Sequence, residues 1–482
     1  MSTKQAKLAF RFFTYGVMAV STILLTALAL FYAMGYRFNQ SSLTIEQGGL
    51  IQLRSIPESA SVFVDGKEKN NLKTPARAYL SAGSHSVEMR LNGYQIWKRD
   101  FDLQAGQLLW LDYARLMPTT INTQPVRALT GVADSSFSPD KRWLILNEMA
   151  DKPIFTLFDF SDETKPVSTT TTIPADQLTQ INGQAHKFSI IEWDFGSTSV
   201  LVRHDVGDTH EVLRIDRTKP DTAINISRLF GLNIGAVHFA GGNHSVVYAQ
   251  TGDILRKLDI DSSVASAALV AGLKDFVVYG EDRLAFIAER TLNNSDGPSN
   301  RRVVGVYQNS KEVLVRDYPV ATVVNIDLTE YFRHQYLAIS DGSSSIEILR
   351  DPAEKATETP VYAKFDLGKS VSWLKFSSNG RMLGAGNGNA WVAYDLEVAM
   401  SYSGTVEGVD VTLPLKWLDN YYLWTAAGDK LQVVEFDGQN RREVTHATNG
   451  LLVSLSQNGK SLISFDKSES SVVMQNSRLV IE

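Results

Sequence analysis

The sequence predicts an all-β ectodomain behind one N-terminal transmembrane helix: a small β domain, then a β-propeller of seven or eight blades. Three observations predict it. An uncharged apolar run fills residues 12–36. The rest shows short apolar strands with turn residues roughly every 8–12 positions and almost no helical periodicity. A phrase of apolar residue, polar turn and alternating apolar residues recurs down to the C-terminus.

Residues 12–36 read FFTYGVMAVSTILLTALALFYAMGY, with Arg11 before and Arg37 after. A helix needs about 20 apolar residues to cross the hydrocarbon core, so this run is long enough. Phe12, Phe13, Tyr15, Tyr32 and Tyr36 stand near its ends, where aromatic rings favour the headgroup level. Lys4, Lys7 and Arg11 precede it without an acid, and only Arg37 follows before Glu46. Positive charge stays on the cytoplasmic side, which predicts residues 1–11 inside, the span at 12–36 and the chain from residue 37 outside. A cleaved signal peptide competes, since Ala27-Leu28-Ala29 has the small-x-small form of a cleavage site. The run outlasts the roughly 7–15-residue core of a signal peptide and continues through Leu30, Phe31 and Tyr32, which favours an uncleaved anchor. A buried core helix would carry a polar stripe, and this run has only scattered Ser and Thr.

Of the 47 basic and 53 acidic residues, four basic and no acidic ones lie at or before Arg37, so the exported part is net acidic. An acidic ectodomain argues against nucleic acid as a partner, because phosphate neutralisation needs a basic face. Cysteine is absent, which excludes disulfides, thiolate zinc sites, iron–sulfur clusters and a Cys nucleophile. With 44% hydrophobic residues the exported part is rich enough to hold itself by core alone, and its length suggests more than one domain.

Residues 37–48 are polar and predict a short stalk. Within 49–118, alternating runs at 51–53, 61–64, 86–91 and 108–113 predict half-buried strands. Asp65-Gly66 and Asn92-Gly93 supply the positive φ of tight hairpins, and Gly83 and Gly106 serve similar corners. The set Pro57-Glu58-Ser59-Ala60, Val62-Phe63-Val64-Asp65-Gly66, Thr74-Pro75, Ala82-Gly83-Ser84-His85, Asn92-Gly93-Tyr94 and Leu116 closely resembles a PEGA domain, with Ser59 where the family has Gly. The resemblance implies a compact β-sandwich-like module of extracytoplasmic envelope proteins, with an adhesion, spacer or wall-proximal role and no catalysis. Asp65, Gly66, Gly93 and Tyr94 read as turn and core residues.

Residues 119–482 read as the repeat. FSPDKRWLIL at 137–146, FSSNGRMLGA at 376–385 and LSQNGKSLIS at 455–464 are its best copies, with weaker ones at 195–202, 239–248 and 418–425. A strand ending near an acidic turn follows most of them: FTLFDF at 155–160, EVLRID at 211–216, ILRKLD at 254–259, WVAYDL at 391–396 and LQVVEFD at 431–437. Repeated groups of four short strands mark a β-propeller. Phe137-Ser138-Pro139-Asp140-Lys141-Arg142-Trp143 resembles the TolB-type or WD40-like propeller repeat, although the Gly-His and Trp-Asp pairs of WD40 blades are absent. Eight candidate units fall near 121–166, 180–217, 228–262, 268–318, 320–352, 362–398, 405–438 and 446–482. A parallel β-helix is the alternative, but its repeats are shorter and more regular.

The chain carries little local chemistry. No HExxH, GxSxG, GxGxxG or GxxxxGK[ST] is present. His204 and His210, with Asp205 and Asp208 between, are the nearest approach to a metal pair and read as solvated turn groups. Asp259-Ile260-Asp261 and Asn293-Asn294-Ser295-Asp296-Gly297 have oxygen ligands suited to calcium but lack the spaced calcium-loop pattern, so turn chemistry explains both. Gly384-Ala385-Gly386-Asn387-Gly388 reads as a bulge or tight turn, and residues 168–172 as a loop between blades. Trp110, Trp143, Trp193, Trp373, Trp391, Trp417 and Trp424 read mostly as blade core rather than a carbohydrate-stacking platform.

These features predict no cofactor, no metal and no catalytic residue. They predict a non-catalytic binding or scaffolding protein of a bacterial envelope, partnered with the lipid bilayer through its anchor and with an envelope protein or cell-wall glycan through its propeller. An extracytoplasmic hydrolase or lyase with carboxylates at the propeller mouth, and a structural spacer, are the alternatives. The first requires inward-pointing acids or histidines with shifted pKa values at one mouth.

Overall fold

A computed structural model of the chain describes residues 3–33, 36–39, 44–294, 297–354, 360–408, 415–448, 450–467 and 471–481. Ser295 and Asp296, part of the second calcium candidate, lie outside them. The described chain forms two compact units, residues 1–120 with 480–482, and residues 121–479.

The first unit opens with a helix over Thr3–Ala33. Its segment Phe12–Tyr32, 21 residues with mean hydropathy 1.9, is long and apolar enough to cross a membrane, and none of that surface is buried by protein. Tyr36, read from sequence as the end of the span, instead starts a strand, Tyr36–Asn39. That strand pairs antiparallel with Thr44–Ile56, Arg37 opposite Glu46. Residues 37–48 are therefore not a stalk in their described part. A polar stretch suits a paired strand without an apolar face as well as it suits a linker, so composition did not separate the two.

The small domain is two four-stranded sheets. Thr44–Ile56 pairs with Tyr36–Asn39, Ala76–Ser81 and, in parallel, Leu108–Arg115. The other sheet runs Lys67–Lys73, Ser61–Val64, Gly83–Arg90, Trp97–Leu103. Ile51, Leu53, Val62, Val87, Met89, Trp97 and Leu111 are buried, each such side chain contributing roughly 1.5–3 kcal/mol by leaving water. Trp110, grouped with blade tryptophans from sequence, belongs to this domain. Thr74 Oγ1 lies 2.6 Å from Ser55 Oγ and accepts the Ala60 N–H at 3.0 Å, tying the Thr74-Pro75 segment to the end of strand Thr44–Ile56 and to the residues after it. At the Asp65-Gly66 turn, φ is +49° and +77°. Asp65 Oδ1 accepts the Ser86 N–H at 2.9 Å and Oδ2 meets His85 Nδ1 at 2.8 Å. Slight desolvation would raise the Asp65 carboxyl, but these two partners outweigh it and hold it below the usual range. Tyr94 Oη accepts the Ile481 N–H at 2.6 Å.

The second unit contains eight antiparallel sheets among the described residues. Blade 1 is Asp134–Phe137, Trp143–Asn147, Ile154–Asp159 and Val167–Thr172. Six more blades follow, with first strands His186–Trp193, Ile234–Phe239, Leu273–Val278, Asn325–Tyr331, Trp373–Phe376 and Lys416–Trp417. The eighth is Ser454–Leu455, Ser461–Lys467 and Val472–Arg478, completed by Asn122–Leu129 from the start of the unit. First strands of successive blades touch one another from blade 1 to blade 6, which makes them the inner strands. This is an eight-bladed propeller, and its separate antiparallel sheets, seven of four strands and one of five, exclude the β-helix. The unit assigned from sequence to 121–166 was wrong at its start, because Asn122–Leu129 belongs to the last blade. Residues 168–172 were also misread. Four threonines in a row lie in the outer strand Val167–Thr172, which pairs with Ile154–Asp159, and β-branched side chains suit that exposed position.

The repeated phrase encodes a hydrogen-bonded turn. Ser138 Oγ accepts the Trp143 N–H at 2.9 Å and donates to Asp140 Oδ1 at 2.5 Å, while Asp140 Oδ1 accepts the Arg142 N–H. Ser377, Asn379 and the N–H groups of Arg381 and Met382 repeat the pattern, as do Ser456, Asn458, Lys460 and Ser461. The residue between is left-handed in all three: Lys141 (φ +60°), Gly380 (+75°) and Gly459 (+69°). The acidic turn is an Asx turn. Asp159, Asp216, Asp395 and Asp437 each accept the N–H two residues on. In strand Met382–Asn387, a Cβ on Gly384 would come within 2.8 Å of Trp417, and one on Gly386 within 2.5 Å of Trp373 Nε1. These glycines make room for two indoles; the bulge read from sequence is absent there, and only Gly388 sits in a turn, at φ +57°.

Lys141 holds a conformation that costs a non-glycine residue about 1–2 kcal/mol. Lys141→Gly is expected to raise the thermal unfolding midpoint, by about 1 kcal/mol or less once glycine's freedom in the unfolded chain is counted. Gly380→Ala is expected to lower it, because its Cβ would also meet the Glu330 carbonyl oxygen at 2.6 Å. Thr74→Val is expected to cost about 1–3 kcal/mol by stranding the Ala60 N–H, read as faster hydrogen exchange at Ala60.

Candidate functional site

Three acids of the inner strands, Asp134, Glu192 and Asp327, are engaged in structure. Asp134 Oδ2 accepts the Ile190 N–H of the next blade at 2.7 Å. Glu192 Oε1 accepts the Phe239 N–H at 2.6 Å and Oε2 meets His238 Nδ1 at 2.8 Å. Asp327 Oδ2 accepts the Phe376 N–H at 2.7 Å and Oδ1 the Lys375 ammonium at 2.8 Å. Burial raises the Asp327 carboxyl above its ordinary range, even though Lys375 and the backbone N–H groups act against it. Each of these acids clips its blade to the next one, and among the described residues no three His, Asp or Glu converge as metal ligands would.

The histidine pair flagged from sequence does not converge. In blade 2, Ser199–Val206 and Thr209–Asp216 pair with His204 opposite Glu211 and Asp205 opposite His210, so His204 and His210 face opposite sides of the sheet. His210 is exposed against Asp205 at 2.7 Å. His204 is no solvated turn group: it is fully buried, stacked on Phe188 with ring centroids 4.7 Å apart. Its Nδ1 lies 2.9 Å from Glu211 Oε2 and its Nε2 2.8 Å from His186 Nδ1. Glu211, accepting only, fixes the His204 proton on Nδ1, and His186 then donates from Nδ1. Glu211 also accepts from the Thr179 N–H (3.0 Å), Thr179 Oγ1 (2.7 Å) and Asn225 Nδ2 (2.8 Å). Burial pushes the His204 ring below its ordinary value and outweighs the pull of Glu211. Burial would raise Glu211, but the Thr179, His204 and Asn225 hydrogen bonds together hold it low. A surface cavity of about 350 Å³ opens beside Glu211, Thr179, Asp208, His210 and Arg228. The network satisfies its own members.

The first calcium candidate is likewise used up. Asp259 Oδ1 accepts the N–H groups of Asp261 and Ser262, and Asp261 binds Ser245 and Arg214. Trp193, Trp391 and Trp424 are buried, whereas Trp143, Trp373 and Trp417 are half-buried. Trp143 is flanked by the guanidinium groups of Arg142 and Arg217, 4.9 and 4.1 Å from its ring centre.

A cleft that no sequence signal indicated lies between blades 4 and 5. It holds about 400 Å³ and is walled by Arg283, Gln308, Lys311, Glu330, Arg333 and Asp351, among others. Two tight hairpins form its rim. Gln308 faces Lys311 across Asn309-Ser310 (φ +51° and +60°), and Tyr331 faces His334 across Phe332-Arg333 (φ +47° and +66°). Such turns favour Asn-Gly, so Phe332 and Arg333 are held there at about 1–2 kcal/mol each. Phe332 is 73% exposed. Arg283 pairs with Glu330, and Asp351 with His334 at 2.7 Å and Arg350 at 3.5 Å. Among the described residues Lys311 and Arg333 have no ion-pair partner. This wall keeps unpaired cations beside an open cavity.

Because the unfolded chain protonates His204 near its ordinary value of 6.5 and the folded one resists it, folding stability is expected to fall as pH drops below about 6.5. Glu211, held low when folded, adds a further loss at more acid pH. His204→Gln is expected to flatten the part between pH 7 and 5, measured by urea unfolding across that range.

No curated protein matches the sequence. Among solved structures, the Myceliophteria thermophila Cps50 (Swd1) β-propeller domain is 11% identical with a TM-score of 0.40, covering 75% of this chain and 100% of that one. An oligogalacturonate lyase in complex with manganese is 8% identical (TM-score 0.40; 75% and 98%). Porphyromonas gingivalis dipeptidyl peptidase 4 is 13% identical (TM-score 0.49; 73% and 58%). At these scores they add nothing to the topology read from the sheets. Residues 49–119 match the PEGA domain family, and residues 121–479, which follow in the sequence, form an eight-bladed propeller.

Proposed function

We propose that this is a non-catalytic binding or scaffolding protein of a bacterial cell envelope. Its N-terminal helix anchors it uncleaved in the cytoplasmic membrane with residues 1–11 inside, and the PEGA domain and propeller stand outside. Lys4, Lys7 and Arg11 on the short flank support that orientation. The observation that carries the reading is the division of labour among charged groups. Asp134, Glu192 and Asp327 of the inner strands are bound to the backbone of neighbouring blades, while the cleft between blades 4 and 5 leaves Lys311 and Arg333 without an ion-pair partner among the described residues. Cations left without an ion-pair partner at an open cavity suit recognition. The partner is an envelope protein or a cell-wall glycan.

Protease added to intact cells, with the outer membrane permeabilised where one exists, is expected to remove nearly all of the protein; survival there and loss only on lysis would reverse the orientation. Crosslinking pull-down from intact cells is expected to lose its partners when the chain ends at Pro118. Partners kept by that short form would assign recognition to the PEGA domain or the anchor.

A further inference from the structure

We propose that the cleft between blades 4 and 5 binds a short oligosaccharide through an anionic substituent, a carboxylate or a phosphate. The proposal rests on the reading of the propeller as a recognition module and names what it recognises. The charge of the cleft sets the substituent. Arg283, Lys311, Arg333 and the adjoining Arg350 face Glu330, Asp351 and Glu354, which leaves one cation in excess. Glu330 and Asp351 are neutralised by Arg283 and Arg350, so the positive charge available to a ligand resides on Lys311 and Arg333. An ammonium and a guanidinium facing one cavity suit a carboxylate or phosphate oxygen pair.

The rest of the wall sets the scaffold. Gln308, Asn309 and Gln335 offer amide donors and acceptors, and Glu354 offers an acceptor. Sugar hydroxyls, each both donor and acceptor, match such a mixed surface. Apolar floor is limited to Val313 and Ala353, too little for the side chains of a peptide. The volume of about 400 Å³ lies within the range of roughly 300–1,000 Å³ typical of small-molecule sites. Beside the cleft, Phe332 presents an exposed ring, set edge-on to Tyr331 at 4.5 Å between centroids, and an aromatic face stacks on the C–H face of a sugar. The left-handed Phe332-Arg333 turn gives these two side chains their positions where Asn-Gly would be the relaxed choice.

The test is isothermal titration of the full chain in detergent micelles with four probes. These are the disaccharide of N-acetylglucosamine and N-acetylmuramic acid, trehalose 6-phosphate, neutral chitobiose, and a short polyglutamate peptide. At least one charged disaccharide is expected to bind tenfold or more tightly than chitobiose, and the stronger of the two identifies the substituent. Lys311→Gln and Arg333→Gly are each expected to weaken that binding about tenfold. Glycine is at home at φ +66°, so Arg333→Gly is expected to keep or raise the unfolding midpoint, separating lost binding from lost folding. Absence of binding by either charged disaccharide, equal binding of chitobiose, or affinities unchanged in both variants would overturn the proposal. Tighter binding of polyglutamate would overturn it too, and assign the cleft to acidic protein segments. If both variants still capture their partners from intact cells while sugar binding is absent, the recognition reading survives and only the ligand class falls.

Discussion

The ring of blades is held shut by backbone pairing between its two ends. Val472–Arg478, near the C-terminus, pairs antiparallel with Asn122–Leu129, at the start of the same unit, through seven residue pairs from Val472–Leu129 to Arg478–Asn122. No disulfide reinforces this seam, since the chain has no cysteine. Until it forms, the last blade has three strands and an exposed edge, the condition under which sheets recruit foreign strands. Leu129, Ile463, Phe465, Val472 and Met474 bury themselves in one cluster with Leu144, Leu146 and Phe158 of blade 1. Closing the seam therefore also completes the packing between the last blade and the first. Pro125 sits on this outer strand beside a register shift, an edge position where a residue without an N–H is tolerated.

Within that ring, the same few polar groups do the joining in blade after blade. Serine and Asp or Asn close the turn between the first and second strands, and an aspartate caps the turn after the third. Arg142–Asp159 and Arg381–Asp395 link the two turns within their blades by bidentate pairs, the second of them buried. Inner-strand acids then carry the connection from blade to blade. The phrase recurs because each copy closes the same turn geometry, and its acids are committed before any ligand arrives.

That commitment shapes where the protein can act. Charge that is fully hydrogen-bonded is poorly placed to move a proton or hold a metal, while charge left unpaired at an open cavity is free to meet a partner. The cleft between blades 4 and 5 has this character, and the buried His186–His204–Glu211 line does not, since its donors and acceptors saturate one another. The PEGA domain follows the same rule. Asp65, Thr74 and Tyr94, the polar landmarks of its motif, all bind backbone N–H groups of their own unit.

By itself the sequence determined the apolar helix, the β class, the PEGA module and a propeller-like repeat, because each is written in local terms. Those terms are an uncharged run, period-two alternation, and turn residues that tolerate positive φ at Asp65, Gly66, Gly380 and Gly459. The tertiary structure alone decided what depends on distant pairing. Asn122–Leu129 looked like the first strand of a first unit, and only its pairing with Val472–Arg478 makes it the last strand of the last. Residues 37–48 looked like a linker, since a polar strand has no apolar alternation to report. His204 and His210 looked alike, but the register of one hairpin buried the first and exposed the second. Lys311 and Arg333 stand in different blades, in turns with no ligand signature, and became one site only when two sheets were laid side by side. A site built from separate blades leaves no spacing to find, because its geometry is set by packing between sheets.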